Sequence, residues 1–212
     1  MIKFYDFPFA PSPRRVRIFI AEKGIADQIE VVPVNLRERE QMTPQFMQLN
    51  PFCSVPVLQL DDGTCISESI ACCRYLEAAF PEPPLMGRTP KEQAVIAMWE
   101  HRCEWDGFLA GAEMLRNSAE RMKDRGLVGP VNHPQIPALA ERGRRRLDFF
   151  YDFLDKRLGE SEYVGGPSYS VADITALISI DFARGQKVEI KPEQANLKRW
   201  HDAVSARPSS KL

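Results

Sequence analysis

The segment Phe80-Pro81-Glu82-Pro83-Pro84-Leu85-Met86-Gly87-Arg88-Thr89-Pro90 limits what this chain can fold into more than any other. Proline fixes φ and has no N–H to donate. A stretch this rich in it is neither a helix interior nor a central strand. It separates two regions whose hydrophobic patterns differ, so a domain boundary belongs there. A length of 212 residues fits one large domain or two small ones.

Before the boundary, strand and helix signals alternate. Residues 2–7 are apolar and aromatic and predict a strand. Residues 13–23 predict a helix, with Pro13 in its first turn and Gly24 just past its end. Residues 29–34 are β-branched and predict a second strand. Residues 43–49 read as a short helix or turn. Residues 57–60 and 64–66 flank Asp61-Asp62-Gly63, a hairpin signal. Residues 67–79 predict a helix that stops before Phe80-Pro81. The order β-α-β-α-β-β-α is that of a thioredoxin-like domain. After the boundary every pattern is helical: 91–125, with Gly107 and Gly111 as bends, then 137–158, 171–182 and 192–205. The third of these is almost wholly apolar and predicts a buried helix. The expected fold is α/β followed by all-α. A thioredoxin-like domain spans 1–82, a linker 83–89 and a helical domain 90–212.

Composition removes several function classes. Lys and Arg number 28 against 29 Asp and Glu, for a net charge of -1. That balance argues against a general nucleic-acid binder, which needs a basic face for phosphates. No apolar run approaches the ~20 residues that cross a bilayer. Met1-Ile2-Lys3-Phe4-Tyr5-Asp6 carries no secretory pattern, which predicts a cytoplasmic protein. The five cysteines (Cys53, Cys65, Cys72, Cys73 and Cys103) form no CxxC, and no Cys/His spacing suits zinc. No disulfide framework and no metal site are expected.

Four segments stand out, the first three as candidate sites. The first is Phe9-Ala10-Pro11-Ser12-Pro13-Arg14-Arg15-Val16-Arg17, where a strand turns into a helix. Free N–H groups and the macrodipole at that helix start favour an anion such as a thiolate. Ser12 reads as the N-cap, or as a hydroxyl donor that lowers a bound thiol's pKa. The second is Asn50-Pro51-Phe52-Cys53-Ser54-Val55-Pro56-Val57-Leu58, where a cis bond before Pro56 would turn the Val55 backbone toward a ligand. The third is Ile66-Ser67-Glu68-Ser69-Ile70 at the next helix start. Here Ser69 suits a ligand carboxylate and Glu68 a ligand ammonium, although an acidic, Ser-rich helix start is also a common cap. The fourth is Ser170-Val171-Ala172-Asp173, a capping box that sets a buried helix.

In this order the four segments resemble the cytosolic glutathione transferase family, over nearly the whole chain. Val55-Pro56 resembles the family's cis-proline, whose preceding residue pairs with the cysteinyl backbone of glutathione. Glu68-Ser69 resembles its acidic-plus-serine pair for the γ-glutamyl group. Ser170 and Asp173 match its helical capping box. The opening, with FAPSPRRVR at its core, is similar to a theta-like bacterial and fungal subfamily. Aligned on Val16-Arg17, Ala10 falls where theta, zeta and beta enzymes carry Ser or Cys. Asp6 falls where the tyrosine classes carry Tyr. The thiolate contact is left to Ser12, the preferred catalytic residue, or to backbone N–H groups at the helix start.

The resemblance implies a glutathione S-transferase acting on an electrophilic, apolar second substrate, as a cytoplasmic homodimer with a role in detoxification. It implies that the electrophile lies between the domains against the 91–125 helix. Phe9, Phe108, Arg116 and Asn117 are candidates for its wall, with Trp105, Met114 and Ser118 beside them. Glu104 or Asp106 would reach a partner subunit's glutathione. Two alternatives stay open. One is another glutathione-dependent enzyme, an isomerase, dehalogenase or lyase. The other is a non-catalytic binding module, which Ala10 keeps alive.

Overall fold

The alternating first half forms a four-stranded mixed sheet with helices, as its pattern predicts. A computed structural model describes residues 1–212. β1 (Ile2–Asp6) pairs in parallel with β2 (Ile29–Pro33) and antiparallel with β3 (Val57–Gln59), which pairs antiparallel with β4 (Cys65–Ser67). Strand order is β2-β1-β3-β4. Phe4 faces Val31 on one side and Leu58 on the other, and is fully buried.

α1 (Pro11–Lys23) buries Val16, Phe19 and Ile20 and ends at Gly24, whose φ of 67° makes the left-handed cap that glycine adopts without strain. The α1 start corrects the sequence reading by two residues. Pro11, not Pro13, is the first helical residue, and Ala10 is the N-cap. α2 (Pro44–Leu49) is capped by Thr43 Oγ1, which accepts from Phe46 N. α3 (Ser69–Ala79) buries Cys72, Cys73 and Leu76. It starts two residues later than the pattern suggested, because Ser67 is used in β4. Burial pushes the Cys72 thiol up to about 12, so this cysteine packs and does not react. The buried ammonium of Lys23 pairs with Glu77 and donates to the Pro83 carbonyl at 2.6 Å, fastening α1 to the first prolines of the boundary.

The chain divides into two compact units. One is Met1–Pro83 with Val128–Asn132 and Leu212; the other is Pro84–Leu127 with His133–Lys211. The second is helical throughout: α4 (Pro90–Arg102), α5 (Leu109–Ser118), α6 (Pro137–Glu160), α7 (Val171–Arg184) and α8 (Ala195–Ser205). The expected 91–125 helix differs from this. It passes through a π-helical turn at Cys103–Phe108 and stops at Ser118, where Ala119 turns extended. Gly107 lies in that turn, and a Cβ there would meet Phe150 at 2.5 Å. α8 starts at Ala195, not at 192, because Gln194 first closes a turn on Lys191.

The capping box forms. Asp173 accepts from Ser170 N and Ser170 Oγ, both at 3.0 Å, and from Val164 N and Trp200 Nε1, both at 2.9 Å. α5 and α6 approach closely at Gly143, where a Cβ would sit 2.5 Å from Ala110 O and 2.9 Å from Met114 N. Both neighbours are backbone, so the helices must part to admit it. Gly143→Ala is expected to lower stability by about 1–2 kcal/mol, read as an earlier urea midpoint.

Candidate active site

The β1–α1 turn is built around an ion pair. Arg17 Nη1 donates to Asp6 Oδ1 at 2.6 Å and to Oδ2 at 2.8 Å, while Nη2 donates to the Pro8 carbonyl at 2.9 Å. Asp6 is therefore a structural anchor for this turn. Ala10 N donates to Phe7 O at 2.9 Å, closing the turn onto α1.

A helix start normally offers several unused N–H groups. In α1 two of the first three residues, Pro11 and Pro13, have none. Ser12 supplies the first-turn N–H that remains. Its hydroxyl takes part in no hydrogen bond within the protein, and Ala10 has no side chain that caps. Ser12 is thus not the N-cap that the sequence suggested. It is the second helical residue, and it brings an open N–H and an open O–H to the positive end of α1.

α3 presents the complementary start. Its N-cap, Glu68, has φ 68° and ψ 124°, a backbone state rare for a residue with a side chain. The first helical bond runs from Cys72 N to Glu68 O at 2.9 Å. The N–H groups of Ser69, Ile70 and Ala71 precede it and have no helical partner. The Glu68 side chain is exposed and caps nothing. Ser69 is buried, and its hydroxyl donates to the Ser12 carbonyl at 2.9 Å. Two helix N-termini, 57 residues apart in sequence, are thereby fastened together.

The third component is the turn before β3. The Val55–Pro56 bond is cis. Asn50, almost fully buried, shapes this turn: Nδ2 donates to Ser54 O at 2.8 Å and Oδ1 accepts from Phe52 N at 3.0 Å. Neither backbone polar group of Val55 is bonded within the protein, whereas β3 pairing begins at Val57. Cys53 is buried with φ 53°, and burial raises its thiol pKa. Asn50 was not singled out from sequence; an Asn-Pro pair before a strand is its signal.

Phe9 stands 72% exposed at the α1 start, with Phe7 edge-on at 5.5 Å and the Arg37 guanidinium over its face at 4.8 Å. The other wall candidates lie in the helical unit. Phe108 is buried against Phe182 at 5.6 Å. Asn117 is buried and occupied: Nδ2 donates to Glu113 O and Oδ1 accepts from Ile136 N. Arg116 Nη1 donates to Arg125 O at 3.0 Å and Leu127 O at 3.4 Å, and burial beside Arg125 lowers its pKa. Asp106 pairs with Arg102 and Arg146. Trp105 lies against His101 and Arg146.

The assembled features suit one kind of ligand. Paired helix starts favour two negative groups, and Val55 offers an unpaired backbone edge. Residues 9–79 match the family described as "Glutathione S-transferase, N-terminal domain", and 124–208 match "Glutathione S-transferase, C-terminal domain". The chain is 36% identical over 207 residues to Glutathione S-transferase 2 of Saccharomyces cerevisiae, covering 98% of this chain and 87% of that protein. It is similar to the crystal structure of Gtt2 from the same yeast (TM-score 0.90, 34% identity, 99% and 98% coverage). A glutathione S-transferase domain-containing protein of Marinobacter aquaeolei is alike to the same degree (TM-score 0.90, 38% identity, 98% of each chain). With both domains matched and relatives alike from end to end, the chain belongs to the glutathione S-transferase family.

Proposed function

We propose that this protein joins glutathione to an electrophilic, largely apolar second substrate, with Ser12 activating the thiol. The observation that carries this reading is the Ser69 hydroxyl on the Ser12 carbonyl at 2.9 Å, which sets two helix N-termini side by side. The α3 start takes the γ-glutamyl carboxylate on its open N–H groups, and Glu68 takes the ammonium. Val55 pairs with the cysteinyl backbone. The sulfur then meets Ser12, whose N–H and O–H both stabilise its anion.

The thiol proton leaves to solvent as the anion forms. The sulfur lone pair attacks carbon, an S–C bond forms, and the leaving group departs with its electron pair. A free thiol has pKa near 8.5, so few per cent are ionised at neutral pH. A fall of about 2 units ionises most of it and needs about 2.7 kcal/mol of preferential stabilisation. A helix start and a hydroxyl bond to a charged group supply that much. The protein works as a cytoplasmic homodimer of the theta-like bacterial and fungal subfamily, in keeping with its likeness to yeast Glutathione S-transferase 2.

Incubation with glutathione and 1-chloro-2,4-dinitrobenzene tests this reading: the expected product is the thioether with release of chloride. No acceleration over buffer would refute it. Ser69→Ala removes one neutral hydrogen bond at the junction and is expected to raise KM for glutathione about fivefold. An unchanged KM would show that the junction plays no part in binding.

A further inference from the structure

We propose that Asp6 and Arg17 are positioning residues for thiol activation: their pair holds the β1–α1 turn so that the Ser12 N–H and O–H stay aimed at the glutathione sulfur. This rests on the conjugation reading above, and both residues lie within the N-terminal unit. The backbone of the turn has little to hold itself with. Pro8, Pro11 and Pro13 have no N–H to donate. Ala10, the N-cap, makes no side-chain hydrogen bond. The backbone bond that closes the turn is Ala10 N on Phe7 O, at 2.9 Å.

Arg17 supplies what the backbone lacks. Helical side chains lean toward the helix N-terminus, so Arg17 reaches back past the start of α1. Nη1 donates to both Asp6 oxygens, at 2.6 and 2.8 Å, and lies 3.5 Å from Phe7 O, while Nη2 donates to Pro8 O at 2.9 Å. Asp6 is itself fixed: it ends a strand paired on both sides, and its carbonyl accepts from Val34 N at 2.7 Å. The guanidinium therefore ties β1, the turn carbonyls and α1 into one corner. The Asp6 and Arg17 side chains are 7% and 15% exposed, so water competes little for these bonds. Ser12 then sits between two ties. The Ser69 hydroxyl on its carbonyl fastens α1 to α3, and Arg17 fastens α1 to β1. Serving a carboxylate and a carbonyl from two nitrogens at once is guanidinium chemistry, which lysine does not reproduce.

The field of the pair offers a competing explanation, and the two differ in sign. Asp6→Asn keeps the shape and removes a negative charge. Acting through its field, that change lowers the pKa of a nearby thiol. Acting through position, it weakens the grip of Arg17, lets the Ser12 donors drift and raises the pKa. Arg17→Lys keeps the positive charge and loses the second donor nitrogen. Through the field it leaves the pKa unchanged; through position it raises it.

The test combines ultraviolet titration of bound glutathione with steady-state kinetics on 1-chloro-2,4-dinitrobenzene. Each variant is expected to raise the bound-thiol pKa by about one unit. At pH 6.5 kcat should fall about fivefold, with KM for glutathione within about twofold of wild type, because the γ-glutamyl and cysteinyl backbone contacts lie on α3 and Val55. A lowered or unchanged pKa in Asp6→Asn would overturn the positioning role, as would an unchanged pKa in Arg17→Lys. A raised KM with unchanged kcat would overturn it too. Either variant decides alone if the other fails to fold. A wild-type protein whose bound thiol titrates like free glutathione overturns the conjugation reading, and the positioning role falls with it.

Discussion

Asp173→Ala is expected to cost about 4 kcal/mol of stability, a large part of what a domain of this size has. Its carboxylate is fully buried and accepts from Ser170 N, Ser170 Oγ, Val164 N and Trp200 Nε1. Alanine would leave these donors unpaired in a dry core, at about 1–3 kcal/mol for each that finds no water. Three separate segments meet at this group, namely 164, the α7 start and α8, so the loss spreads through the helical unit. Urea unfolding followed by circular dichroism checks this; a change below 1 kcal/mol would contradict it.

The same residue sets a pH dependence. Burial outweighs its hydrogen bonds and raises the Asp173 pKa from 3.8 to about 6. The folded state then holds a proton that the unfolded state has lost between those values. The contribution is fully present below pH 3.8 and declines as pH rises through 6, by on the order of 3 kcal/mol. Asp173→Asn has no such titration. The stability advantage of wild type over this variant is expected to shrink as pH rises from 4 to 7.

Ser12→Ala is expected to raise the pKa of bound glutathione by about 1 to 2 units, since a hydrogen bond to a charged group is worth about 1.5–3 kcal/mol. At pH 6.5 the rate of conjugation should fall about 5- to 50-fold, and the loss should narrow at higher pH as the thiol ionises unaided. The Ser12 N–H survives the substitution, so glutathione still binds. A bound thiol whose pKa does not move would assign the anion to the N–H and the helix start alone.

Local signals made most of this fold legible. Gly24 marks the α1 end, Asp61-Asp62-Gly63 joins β3 to β4, and Ser170 with Asp173 starts α7. Thr89-Pro90-Lys91-Glu92 is a capping box of the same kind at the α4 start, equally readable but not singled out. The errors arose where one local rule overrode another. Ser12 has the chemistry of an N-cap, but Pro11 already has the fixed φ of a first helical residue and moves the cap to Ala10. Ser67 has cap chemistry too, yet pairing with Val57 holds it in β4 and leaves the cap to Glu68.

What sequence could not show is distance. The Ser69–Ser12 bond joins residues 57 apart, and no periodicity reports it. The roles of Arg116 and Asn117 depend on a loop whose partners lie up to 19 residues downstream. Neutral spacing could place both on a helix but could not show that their polar atoms are spent on holding that loop.

Thiol activation at the α1 start is read by ultraviolet titration of glutathione thiolate in the presence of saturating protein. Binding is expected to saturate, with a bound-thiol pKa about 2 units below the free value near 8.5. A bound thiol that titrates like free glutathione, or a protein that does not bind it, would contradict the assignment of thiol activation to the α1 start.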